Sequence, residues 1–393
     1  MSTSFKRTIK FFIIMWKIIG LLNFCCTMET ESGLMHRDMS STYNLYLEMI
    51  RIFVYIICSY HMVFNIGEKY LIVNFNILKY WCIIIPARMS EKRIIKLING
   101  IIEFDRKLLL FHSLLVVELP TSSKTFWIAF VAMFSIYFIG CQLYLIQNGI
   151  ILNLENVHFA SLLFHSPDII IFIVMATSYF HFINLGQKFC ILNRLWKLLP
   201  PGIVALPGGW NTSEITVLVE CIRLLHTELS GLLRLFSLGY GPVILIYFTF
   251  TFIQALVDIF LIIVFDNSSV KLGILSFVFY IQYIVSTISI LYITSWVIKK
   301  KKKIISYLRL ARISELPTET KLQVKIFMNQ ISVYEPNELT AYGFFNLNLS
   351  LFMSILVQMI TGIATLIQMK EYSFMIRLNN LMTPQFPKLE LKK

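Results

Sequence analysis

The sequence predicts an all-α polytopic membrane protein with seven transmembrane helices, its N-terminus cytoplasmic and its C-terminus extracellular. Three observations predict it. The 393 residues are 57% hydrophobic and only 15% charged, with a mean hydropathy of +0.71. A soluble domain carries roughly 25% charged residues. Seven stretches are apolar over about the 20 residues a helix needs to cross the hydrocarbon core. The basic residues between them fall mostly on one side. So much apolar surface cannot be hidden in a water-soluble core, so the surplus faces lipid.

The stretches lie at 44–63, 69–85, 125–147, 158–182, 239–264, 271–298 and 343–368. A barrel would show short alternating segments instead. They leave a cytoplasmic segment 1–43, an extracellular tail 369–393 and no room for a separate soluble domain. Residues 11–26 form an eighth apolar stretch with a basic lead-in of Lys6, Arg7 and Lys10. Lys17 sits in its middle and no small-residue cleavage site follows Cys26, so a half-buried helix on the cytoplasmic side is expected. A signal sequence or signal anchor is the alternative.

Orientation follows from charge. With the N-terminus inside, 26 of the 35 Lys and Arg residues fall on the inside and 7 on the outside, as the positive-inside rule requires. This topology accounts for the net charge of +13 without nucleic-acid binding. Two readings exist for the run Lys299–Lys303, a stop-transfer anchor near anionic lipid or a partner site, and the anchor is favoured.

The seven cysteines are scattered, with no CxxC and no metal-ligand spacing, so free thiols and no metal or cofactor are expected. Of three glycosylation sequons, only Asn267 falls in an external loop.

Three cytoplasmic segments are long enough to fold. In 90–109, Ile94, Ile95, Ile98, Ile101, Ile102 and Leu109 form one stripe, and Lys92, Lys96, Asn99, Glu103 and Arg106 form the opposite face. That is an amphipathic helix continuing span two. A second helix is expected in 212–238. A third starts after Pro317 with Thr318 as N-cap. They are either three surface helices or one bundle around the last span.

The last span differs from the others. Asn346, Ser350, Ser354, Gln358, Thr361, Thr365 and Gln368 recur every three or four residues. At about 3.67 residues per step the row drifts only some 40° at 100° per residue, and it is roughly 33 Å long. Asn348 is the main exception. Two readings compete. Small polar residues let helices pack closely. A continuous uncharged polar row with two glutamines also suits the wall of a water-filled path. One helix cannot enclose a path, so the second reading requires a symmetric oligomer.

The segment Ala341–Asn348 followed by Thr361–Met369 resembles the C-terminal signature of insect gustatory receptors. That signature is Thr-Tyr, five hydrophobic residues, then Gln-Phe. Thr361 and Gln368 match at the right spacing, while Gly362 stands for the Tyr, Met369 for the Phe, and Thr365 interrupts the five. Lys17–Phe24 resembles the segment before the first span in that family. The seven spans, the inside N-terminus and the length agree along the whole chain. The resemblance implies a ligand-gated, non-selective cation channel in the plasma membrane of a sensory neuron. It implies four subunits, the chain's own copies or other gustatory receptors, meeting along span seven. It also implies an anchoring bundle of cytoplasmic helices and a pocket for a small-molecule tastant among the outer halves of earlier spans. Ser354, Gln358, Thr361, Thr365 and Gln368 would then line the pore.

Such a pocket needs apolar walls and a few polar groups. The outer halves supply Gln142, Tyr144, His165, Asp168, Gln254, Asp258, Phe279, Tyr280, Gln282 and Tyr283. Intramembrane charge is costly, so Asp168 and Asp258 stand out. Asp168 either pairs with His165 or contacts ligand, and the aromatics also serve at lipid interfaces. Glu48 and Arg51 should pair with each other, and Lys79 should snorkel. No Gly-x-Ser-x-Gly, His-Glu-x-x-His or P-loop suggests an enzyme. An odorant receptor of the same superfamily is the nearest alternative. A G-protein-coupled receptor has the opposite topology, and no Asp-Arg-Tyr follows span three.

Overall fold

The computed structural model describes residues 3–23, 25–29, 32–37, 42–62, 71–112, 166–200, 203, 210–264, 270–310, 313–334 and 339–369. They are almost entirely helical. The helices are α1 (Thr3–Ile19), α2 (Thr42–Met62), α3 (Leu71–Met89), α4 (Glu91–His112), α5 (Ser166–Leu198), α6 (Thr212–Gly239), α7 (Gly241–Val264), α8 (Val270–Leu310), α9 (Thr318–Tyr334) and α10 (Leu349–Met369). A two-stranded hairpin, β1 (Cys26–Met28) and β2 (Met35–Arg37), follows α1.

Six of the seven expected spans coincide with α2, α3, α5, α7, α8 and α10. The segment 125–147 lies outside the described residues. Among the described residues, Ile170–Leu198 and Leu349–Gln368 are long and apolar enough to cross a membrane, and Thr212–Gly239 with Gly241–Leu256 makes a third if that bent pair is one span. Helices α5 and α8 run well past the expected ends of their spans and pack along each other.

The half-buried helix expected near the N-terminus is α1, which starts earlier and ends sooner than 11–26. Ile9, Phe12, Ile13 and Trp16 are buried at helical spacing, while Ile14 and Ile18 are exposed. Hairpin residue Met35 is pinned to α4. Its N–H donates to Asn99 Oδ1, and Asn99 Nδ2 donates to its carbonyl, both at 2.7 Å.

The stripe expected on α4 is buried at Ile94, Ile98, Ile101 and Ile102, joined by Leu97 and Phe104. It packs against α6. Lys107 on α4 pairs with Glu228 on α6 at 2.8 Å, and Lys188 on α5 pairs with Asp105 on α4. Helix α9 joins α6 through Thr216 and Thr320, 2.8 Å apart, and through Gln330, which donates to the Arg223 carbonyl at 3.2 Å. The three expected helices are therefore one bundle with α5 and α8, not separate surface helices, but the bundle is not built around the last span, which packs mainly on α7 and α8. His226 on α6 sits in this core, with ring centroids 5.6 Å from Phe189 and 5.4 Å from Phe327. Burial and the charge of Lys301 hold its imidazole down at a pKa of about 3.

Three local expectations are corrected. The last span begins at Leu349, not at 343, because Leu339–Leu347 folds back on itself: the Leu347 N–H donates to the Leu339 carbonyl at 3.0 Å and Ala341 to Phe345 at 2.9 Å. Lys79 does not snorkel, since it is buried inside the protein. Thr318 is the first residue of α9 rather than its cap, a one-residue difference of the kind helix ends show.

Candidate functional site

Helix α10 starts at a built cap. Asn348 Oδ1 accepts from the Leu351 N–H at 3.1 Å and from the Ser350 hydroxyl at 2.6 Å. A cap side chain of this type satisfies one of the donors that a helix start leaves open. The free N–H of Leu349 donates to Ser295 Oγ on α8 at 3.1 Å. Asn348, the exception to the polar row, is therefore the cap. Asn346 leaves the row as well, because it pairs with Thr340 in the turn before the helix.

The helix has three faces. Leu351, Phe352 and Ile355 are half-buried against the core, and Met359, Gly362, Ile363 and Leu366 continue that side. A Cβ on Gly362 would lie 2.9 Å from a Leu256 methyl on α7, so the Tyr of the resembled signature would have to displace Leu256. The polar residues Ser350, Ser354, Gln358, Thr361, Thr365 and Gln368 are all exposed. At 100° per residue their face lies about 130° round the helix from the packing face. A third face carries Leu349, Met353, Val357, Ile360 and Ile367, all exposed and apolar.

Among the described residues the polar row therefore does not serve packing within the chain. Its hydroxyls are partly satisfied locally. Thr361 donates to the Val357 carbonyl and Thr365 to the Thr361 carbonyl, each at 2.9 Å. Such back-bonds let Ser and Thr sit in an apolar medium at small cost. Gln358 and Gln368 make no such bond among the described residues, so they are the groups that call for water or a partner.

The pocket candidates are less well placed. Gln142, Tyr144, His165 and Asn267 lie outside the described residues. Asp168 lies on α5, Asp258 on α7, and Phe279, Tyr280, Gln282 and Tyr283 on α8, while the arrangement of their side chains lies outside the described residues. Gln254, half-buried on α7, is one turn from Asp258. Nothing here brings these candidates together or separates them. Among the described residues, no cluster of His, Cys, Asp and Glu could hold a metal ion.

Two features of the described residues were not read from the sequence. Glu48 on α2 pairs with Arg51 as expected, and Arg88 on α3 joins it at 2.7 Å. Both arginines also donate to carbonyls at the end of α1: Arg51 to Lys17 at 2.5 Å and to Leu22 at 3.2 Å, Arg88 Nε to Gly20 at 2.6 Å. Cations at a helix C-terminus complement its dipole. Nearby, burial beside Glu91 pushes the Cys26 thiol up to about 12, so it is no nucleophile. The second feature is the 48° bend between α6 and α7, which touches the turn before α10. The run Gly239-Tyr-Gly-Pro242 was the available signal for a break.

The family described as 7tm Chemosensory receptor matches residues 9–373 of the chain. No curated protein matches it.

Proposed function

Because the chain belongs to the 7tm chemosensory receptor family, we propose that it is a ligand-gated, non-selective cation channel of the insect gustatory type. It responds to a small-molecule tastant at the plasma membrane of a sensory neuron. The observation that carries the channel reading is the exposed polar row on α10. A lipid-facing helix would not keep two glutamines on its outer side, because an unpaired amide in hydrocarbon costs several kcal/mol, on the order of 4–8 by transfer to cyclohexane. Around a symmetry axis the same row faces water. The exposed apolar face of α10 then packs against a neighbouring copy, and four copies enclose a path. The gustatory assignment rests on the match of Thr361 and Gln368 to the signature.

Two measurements test this reading. The charge asymmetry predicts that tags on intact cells stain at the C-terminus and not at the N-terminus. Staining of the N-terminal tag alone would favour a G-protein-coupled receptor. Expression in a cell line, with whole-cell current and calcium imaging against a tastant panel, should give cation current within milliseconds and without nucleotide. A response that requires G protein would remove the channel.

A further inference from the structure

The bend between α6 and α7 and the turn before α10 are built into one joint. Ser237, on the last turn of α6, donates to the Thr340 carbonyl at 2.5 Å and accepts from the Thr340 N–H at 3.1 Å, both residues being buried. Gly241, the first residue of α7, touches the next part of the turn. A Cβ there would lie 2.7 Å from the Tyr342 backbone nitrogen, a distance that backbone atoms cannot relax cheaply. The turn itself is strained. Tyr342 has φ of 54° and Gly343 has φ of 87°, and a left-handed Tyr is an uncommon conformation. The Tyr342 ring is half in solvent and does not hold it there. The conformation is imposed by its surroundings, namely the Gly241 contact and the Thr340 Oγ1 that accepts from the Gly343 N–H at 2.9 Å. Strain of this kind persists only where the neighbouring structure over-determines it.

Helix α10 is tied to two helices, α8 and α7. Its start is held by Ser295 on α8, and its outer half lies against α7 at Gly362 and Leu256. On the other side of the bend, Tyr240 is buried. Its ring centroid lies 5.5 Å from His181 on α5 and 6.2 Å from Trp16 on α1. The bend is thus in contact with α5 and α1 on one side and with the root of α10 on the other.

We propose that this joint sets the position of α10, with Ser237 and Gly241 as positioning residues, so that a movement of α5 against the α6–α7 bend reaches the polar helix through Thr340 and Tyr342. The inference rests on the channel reading for its consequence, though not for its geometry. A change in the bend at Tyr240 would then be passed to α10 through the backbone of Thr340 and Tyr342.

The test uses the full chain carrying Gln368→Cys at the far end of α10, with a small charged thiol reagent applied outside. Gly241→Ala forces the Tyr342 backbone away, and Tyr342→Gly relieves its strain without adding bulk. Each should change the modification rate at position 368 by about fivefold or more, the scale of ordinary inter-site coupling. Ser237→Ala should do the same, and Ser237→Thr, which keeps the hydroxyl, should restore the original rate. Unchanged rates in Gly241→Ala and Tyr342→Gly, at normal surface expression, would overturn the proposal. If Gly241→Ala does not reach the surface, Tyr342→Gly decides alone. Current is recorded in the same cells. Changed rates in a protein that passes no current keep the joint and remove the channel.

Discussion

Arg88 and Glu48 meet across two helices, with the guanidinium 2.7 Å from the carboxylate and its Nε donating to the carbonyl of Gly20, the residue that follows α1. Both side chains are largely buried, so removing one leaves charge without its partner. Arg88→Ala should cost about 3 kcal/mol, at the low end for breaking a buried pair because Arg51 still holds Glu48. Scanning fluorimetry of detergent-purified protein should show a lowered melting temperature, with early loss of Trp16 environment. Arg88→Lys should recover only part, because an ammonium cannot reach both acceptors as a fork. A melting curve identical to the parent would show that α1 is held by its apolar face alone.

His226 gives the bundle a pH dependence of known sign. Its folded pKa is depressed, from 6.5 to about 3, so the unfolded chain takes up a proton first as pH falls. Stability is then complete above pH 6.5 and declines below it, by at most about 1.4 kcal/mol per pH unit until pH 3. Stability measured at pH 7 and pH 5 should differ more in the parent than in His226→Phe, which keeps an aromatic ring between Phe189 and Phe327. Equal differences in the two proteins would mean that the ring is solvated.

Much of this arrangement was legible, and its limits have physical causes. The α4 stripe and the α10 row were readable because each repeats at the helical period over several turns. The start of α10 was placed six residues early because Phe344, Phe345 and Leu347 are as apolar as the helix that follows. Only Gly343, at positive φ, and the cap Asn348 mark the boundary. The Glu48–Arg51 pair was visible because it is local. Arg88 was not, since it lies 37 residues beyond Arg51 and its role depends on how α3 docks. The contact between Ser237 and Thr340 spans 103 residues, beyond the reach of any pattern. Strands of three residues are too short to show a period of two. The pocket candidates rested on composition at an expected depth, and composition does not say which side chains converge.

The two kinds of polar residue on α10 should behave differently. Thr365 already bonds its own helix, so Thr365→Val removes little and single-channel conductance should stay within about twofold. Gln358→Leu removes an amide without a local alternative and narrows the polar face. Conductance should fall several-fold at unchanged surface expression. The reverse order of sensitivity would place the threonines, not the glutamines, at the water-facing line.

A channel of this kind requires the exposed polar face of α10 to meet water around a shared axis, which cysteine accessibility reads out. Gln368 is exposed on the polar face and Leu366, two residues earlier, is half-buried on the packing face. Single cysteines at each position are treated with a small polar thiol reagent while current is recorded. Gln368→Cys should react fast and change the current, and Leu366→Cys should react slowly and without effect. Equal protection of both positions in a protein that still conducts would contradict it and place the pore elsewhere.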